Sequence, residues 1–198
     1  MKRFIGLLAV FSLVLGMALP ALADASITVV GQPMSVEAQD ILFEEVTLDG
    51  TYHPDVPGAT EEWIVKDPSG TGSGYNVFIS ATDFIHQGGK LDKIDADNDG
   101  DTEEPALIDN AGFGMTLSNE AIIAKDITNG VAPVSEFEEE AILDDDPQSF
   151  MVAAEDEGQG TWGVTPTFSL DVAAESYAGE YLSTVEVTIV AAGEGGEG

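Results

Sequence analysis

This sequence predicts an all-β fold, an antiparallel β-sandwich of immunoglobulin-like or Greek-key type with acidic loop insertions. Three observations predict it. Apolar residues recur with a period of two rather than the 3.6 of an amphipathic helix. The apolar stretches are short and rich in Val, Ile, Thr and aromatics. Clusters of Gly, Pro, Asp and Asn separate them, as turns separate strands.

Taken in order, residues 1–23 read as a secretory signal peptide. Lys2 and Arg3 precede an apolar run over 4–19, then Pro20 and the small-residue site Ala21-Leu22-Ala23. Cleavage is expected between Ala23 and Asp24. The apolar run is shorter than the roughly 20 residues of a membrane-spanning helix, so no membrane insertion is expected after cleavage. Residues 24–190 read as a single β domain and 191–198, all Ala, Gly and Glu, as a disordered tail. The clearest strands are 75–84, with Tyr75, Val77, Ile79 and Ala81 on one face, and 179–190. In the latter Tyr181, Val185, Val187 and Ile189 point one way, and Thr184, Glu186 and Thr188 the other. Shorter strands are expected over 26–30, 62–66, 113–117, 121–124, 150–154 and 167–172. Helix is expected only in short pieces, at 134–143, with 34–43 ambiguous. Residues 92–104 and 135–158 are acid-rich and read as insertions.

The charge balance excludes whole classes of partner. All 37 acids follow Ala23. Lys2 and Arg3 lie in the signal segment, so the whole-chain charge of −31 becomes −33 on residues 24–198. Such a surface repels nucleic acid and anionic membranes. Two readings of the acids compete: adaptation to a saline exterior, and specific cation binding. Disorder is not expected, because 43% of residues are apolar. There is no Cys, so disulfides and thiolate metal sites are excluded.

Catalysis has little in the sequence to carry it, and the chain is read as non-enzymatic. His53 and His86 are the only imidazoles, each beside a turn residue, and read as surface histidines. No Gly-x-Ser-x-Gly elbow is present, and no arginine follows residue 23 to clamp an anion. Among 37 acids, no hydrolytic carboxylate pair stands out. Trp63 sits in an apolar strand and reads as core. Trp162 follows Gly158-Gln159-Gly160 and precedes Pro166, a turn-like setting. It reads as packing or, alternatively, as an exposed sugar-stacking face.

Two segments resemble a known family. The run Gly70-Thr71-Gly72-Ser73-Gly74-Tyr75-Asn76-Val77, continuing to Phe84, is similar to the proximal motif of WxL-domain surface proteins. There a Gly-rich turn enters a strand opening Trp-x-Leu; here Tyr75 and Val77 hold those places. The stretch Gly160-Thr161-Trp162-Gly163-Val164 and the strand from Tyr177 to Val190 resemble the family's C-terminal portion. Tyr181 and Val185 match its distal motif, while Glu186, Val187, Ile189 and Gly193 replace Thr, Trp, Leu and Pro. The resemblance implies an exported β-rich domain attached non-covalently to Gram-positive cell wall, with peptidoglycan or other surface proteins as partners. A self-assembling subunit of a surface layer or filament, joined by edge-strand pairing, is the alternative expectation. Independently of the family, Tyr181 after Ala178-Gly179 reads either as a tyrosine corner or as an ordinary half-buried strand tyrosine.

The strongest local motif is Asp95-Ala96-Asp97-Asn98-Asp99-Gly100-Asp101-Thr102-Glu103. Asp at alternating positions followed by Gly is how a calcium loop wraps oxygen ligands around a hard cation. Asp95, Asp97, Asp99, Asp101 and Glu103 are therefore candidate calcium ligands. The twelfth place of an EF-hand loop holds Ala106 instead of a bidentate Glu, so Glu103, Glu104 or Asp109 would have to supply that carboxylate. The competing reading is a solvated acidic loop. If the loop binds calcium, the ion at about 100 times its Kd stabilises the fold by about 2.7 kcal/mol. Asp97→Ala abolishes that rise in melting temperature; a parent chain that shows no rise carries only solvated acid there.

Overall fold

The structure, a computed structural model, describes residues 27–90, 106–127 and 130–192. The proposed calcium loop at Asp95, Asp97, Asp99, Asp101 and Glu103 lies outside the described residues. Its flanks meet, since Ala106 N–H donates to the Lys90 carbonyl at 2.8 Å.

The chain is all-β and antiparallel, as its period-two pattern predicts. β1 (Ser35–Glu37) and β2 (Ile41–Phe43) precede β3 (His53–Thr60), β4 (Trp63–Asp67) and β5 (Tyr75–Ala81). β6 (Phe84–His86), β7 (Leu107–Ile108), β8 (Phe113–Thr116) and β9 (Ile122–Ala124) follow. Then come β10 (Val134–Ser135), β11 (Ala141–Ile142), β12 (Gln148–Ala153) and β13 (Gly160–Val164). β14 (Thr167–Val172), β15 (Tyr181–Leu182) and β16 (Val185–Ala191) complete the order. The only described helices are 3-10 turns at Asn110–Gly112 and Asn119–Ala121.

Four sheets result. Sheet I has the order β1-β4-β13-β9, sheet II β11-β8-β14-β3-β2, sheet III β10-β12-β5-β16 and sheet IV β15-β6-β7. Alternation does what the sequence promised in β5, where Tyr75, Val77, Ile79 and Ala81 are all buried and the residues between them are not. Gly70, Gly72 and Gly74, which lead into this strand, all take positive φ.

Several expectations are corrected. Residues 134–143 contain the paired strands β10 and β11 rather than helix, and 34–43, ambiguous from the sequence, contains β1 and β2; Phe137, Leu143, Val36 and Phe43 from these stretches all join the core. Residues 135–158 are framework and not an insertion. Phe137, Leu143, Phe150 and Met151 are buried while the acids between them stay exposed. Residues 27–30 form no strand. The stretch 179–190 is two strands in two sheets. β15 pairs with β6, whereas β16 pairs with β5 along its whole length. Trp162 is not exposed: β13 runs between β4 and β9, and its indole N–H donates to the Gly158 carbonyl at 2.8 Å.

The core is a string of aromatic rings that crosses sheet boundaries. Trp63 of sheet I meets Phe150 of sheet III at 6.2 Å and Phe168 of sheet II at 5.9 Å between centroids. Phe168 touches Phe113, which touches Phe84 of sheet IV at 5.1 Å. Phe43 closes on both Phe84 and Phe113 at 5.7 Å. Such edge-to-face pairs add to area burial. Phe113, fully buried at the junction of three rings, is the most exacting position. Phe113→Ala is expected to cost about 3–5 kcal/mol, read as a lower urea midpoint with unchanged slope. A loss under about 1 kcal/mol would mean that the string is not continuous.

Candidate functional site

An open groove of about 1140 Å³ lies beside the Phe84–Phe113 end of this string. Residues 38–48 form one wall and 176–183 the other. Between them lie Val56, Phe84, Ile108, Phe113, Leu170 and Val172.

The first wall is β2 and the segment after it. Phe43 can lie flat on its partner strand because the residue opposite is Gly58; a Cβ there would sit 2.7 Å from the Phe43 ring. Glu44 N–H donates to the Pro57 carbonyl at 3.1 Å and carries the wall past the end of the ladder. β3 accommodates Pro54 and Pro57 through an irregularity. Asp55 takes φ of 54° where the register shifts, and its N–H donates to Asp171 Oδ1 at 2.9 Å. Asp171 also accepts from the Tyr52 hydroxyl, and that hydrogen bond raises the phenol pKa above its ordinary 10.0.

The second wall is an arch fastened by Tyr181 and His86. The Tyr181 hydroxyl accepts from Tyr177 N–H at 3.0 Å and donates to the Tyr177 carbonyl at 3.1 Å. That is the double tie of a tyrosine corner, which resolves the two readings of this residue. His86 is buried rather than at the surface. Its Nδ1 accepts from Gly88 N–H at 2.9 Å, leaving Nε2 to donate to the Ala178 carbonyl at 3.3 Å. The ring stands edge-on to Tyr181 with centroids 5.0 Å apart. Gly179 is required beside it, since a Cβ would fall 2.3 Å from Nε2.

Both walls end in strand edges. β2 is the last strand of sheet II and β15 the last of sheet IV, and each has one ladder partner among the described residues. Leu42 and Leu182, one on each edge, are exposed large apolar side chains. Asp40, Glu44, Glu45 and Glu180 also line the groove, and among the described residues no lysine does. The arrangement offers apolar contact, two edge strands and negative charge.

The family-motif positions have a different fate. Tyr75 and Val77 are buried in β5, and Val185, Val187 and Ile189 are half-buried in β16. The two motifs meet in one sheet, Ile189 opposite Val77 and Val187 opposite Ile79. Tyr181 alone lies apart, at the groove. Burial, with the charge of Asp67 adding to it, pushes the Tyr75 phenol well above its ordinary range. Asp109, one alternative calcium ligand, accepts from Ala111 N–H at Oδ1, 2.7 Å away, and caps a 3-10 turn. Among the described residues, no group of three or more His, Asp or Glu side chains converges as a metal site.

Compared with known proteins, the chain matches no family model, no curated protein and no solved structure.

The arch has a direct test. Tyr181→Phe keeps the ring and removes both ties to Tyr177, at an expected cost of about 1–3 kcal/mol. Chemical denaturation measures the loss, and hydrogen exchange of the Tyr177 amide should accelerate. Unchanged protection at Tyr177 would show that the corner does not hold the arch.

Proposed function

We propose that this chain is an exported, non-enzymatic surface protein that works by binding an extended apolar segment of another surface polypeptide. The observation that carries this reading is the groove between two strand edges, β2 and β15, with apolar side chains between them. An added strand satisfies backbone donors and acceptors that a small apolar ligand leaves unpaired. The acids of the rim, Asp40, Glu44, Glu45 and Glu180, repel acidic partners and favour an uncharged or basic one.

The resemblance to WxL-domain proteins supports peripheral attachment to peptidoglycan as a companion property. The motif positions Tyr75 and Val77 are core residues, as are Trp63 and Trp162, so glycan binding would use some other surface. Loop 95–103 would add calcium-dependent stiffness if it holds the ion.

The test uses the chain from Asp24 onward and uncharged peptides in which Val or Ile alternates with Thr. Saturable amide shifts confined to 38–48 and 176–185, lost in Leu42→Asp and Leu182→Asp, are the expected result. Shifts elsewhere, or none at any concentration, overturn the groove reading. Purified peptidoglycan tests the companion property: retention no greater than for a charge-matched control removes it.

A further inference from the structure

We infer that the groove's occupant is the Ile27–Val30 segment of a second copy, so that copies join head to tail by strand addition. This deepens the groove reading and rests on it.

The segment is an exposed apolar run among the described residues. Ile27, Val29 and Val30 are 88%, 84% and 75% exposed, although each would ordinarily be buried. No strand of their own sheet takes them up, and residues 27–30 carry no charge. In extended form Ile27 and Val29 fall on one face and Thr28 and Val30 on the other. Four residues span about 13 Å, ample to cover the three residues of β2. An uncharged strand is also what an acidic rim admits in a chain of this net charge.

The direction of the chain excludes self-insertion. β1 pairs antiparallel with β4, Glu37 opposite Ile64 and Ser35 opposite Lys66. Farther back, Gln32 N–H donates to the Pro68 carbonyl at 3.0 Å, and Gly31 passes so close to Ser69 that a Cβ would collide with its carbonyl oxygen. Residues 27–30 therefore leave beyond the Ser69 end of β4. The groove begins at Ala38, past the Trp63 end. The stretch 31–37 that separates them covers roughly 20 Å when extended. A segment leaving one end and a groove at the other make a heterologous contact, and a heterologous contact that does not close on itself builds a filament. Mutual repulsion of copies this acidic opposes the contact until salt shortens the Debye length, about 8 Å at physiological strength and 3 Å at 1 M.

The experiment takes the chain from Asp24 onward, which keeps every described residue, through concentration and salt series in light scattering and sedimentation. Oligomers that grow with both are expected. The double variant Ile27→Asp, Val29→Asp alters only exposed positions, so its melting temperature should stay unchanged while association weakens by more than about tenfold. Leu182→Asp should do the same from the other side. Mixing the two variants should give heterodimers and nothing larger, because one intact contact remains. A parent that stays monomeric under all conditions, or a double variant that assembles like the parent, overturns the proposal. If uncharged alternating peptides still bind at 38–48 and 176–185 in that case, self-assembly falls and the groove reading stands. If neither copies nor peptides bind, both fall.

Discussion

The packing of Trp63 against two other sheets is the contact on which the rest of this molecule depends. Its ring joins sheet I to Phe150 of sheet III and Phe168 of sheet II, and its indole N–H donates to the Thr60 hydroxyl at 2.9 Å. The chain changes sheets at nearly every loop: β3 lies in sheet II, β4 in sheet I, β5 in sheet III and β6 in sheet IV. No sheet is therefore completed by neighbouring sequence, and none can bury its apolar face alone. Shared aromatic rings are what make four small sheets one cooperative unit. The demand on them is raised by charge, since gathering this many carboxylates onto one compact surface opposes folding. Ion pairs do little to relieve it. Lys66 meets Glu37 and Lys125 meets Glu62, both at 2.6 Å, in settings exposed enough for each pair to contribute little.

The same aromatic string explains why a groove exists where it does. Phe84 and Phe113 belong to the core on one side and border the groove on the other. Phe43 bridges them from the edge strand, and the wall formed by residues 38–48 is held further by the β2–β3 ladder, the Glu44 N–H on the Pro57 carbonyl and the packing of Ile41 and Val46 on the core. The opposite wall is anchored at the Tyr181 hydroxyl and the buried imidazole of His86. The crevice between these walls is apolar in its depth, and the strand proposed to enter it would leave the core intact. His86 illustrates how a residue type associated with catalysis is used up by architecture: both ring nitrogens are committed to backbone groups.

Legibility in the sequence followed the physics of alternation. β5 could be read because every second residue is apolar and its turn is written in glycines, while β4, β8, β12 and β14 could be read from short stretches rich in apolar and aromatic residues. β3 could not be read, because Pro54, Pro57 and Gly58 are strand breakers in isolation. It forms only because a shift in register and the Asp171 carboxylate absorb the irregularity. Trp162 looked turn-like for a related reason: Gly160 and Gly163 flank it, yet a central strand between β4 and β9 tolerates small residues where side chains of neighbours cross. The break between Tyr181 and Val185 was invisible because Ser183 and Thr184 preserve the period while the backbone changes sheets; Thr184 N–H turns to the Thr82 hydroxyl at 3.0 Å instead. The groove was not legible at all, since its walls come from segments some 140 residues apart in sequence. Only the tie of Tyr181 to its arch was foreshadowed, by a tyrosine following a small-residue pair.

A sheet edge is a row of unsatisfied backbone groups, and proteins ordinarily blunt such rows with charge, proline or brevity. This chain uses brevity, since β2 and β15 have three and two residues, and it places acids beside both. Those devices discourage random pairing with acidic strands, including most of the chain's own surface. They do not discourage an uncharged one. Burying three large aliphatic side chains that otherwise face water contributes on the order of 1.5–3 kcal/mol each before ordering costs, enough to make a reversible contact but not a permanent one. A charged exterior, two short edges and one bare apolar segment in the same chain would make the contact proposed above reversible and tuned by salt.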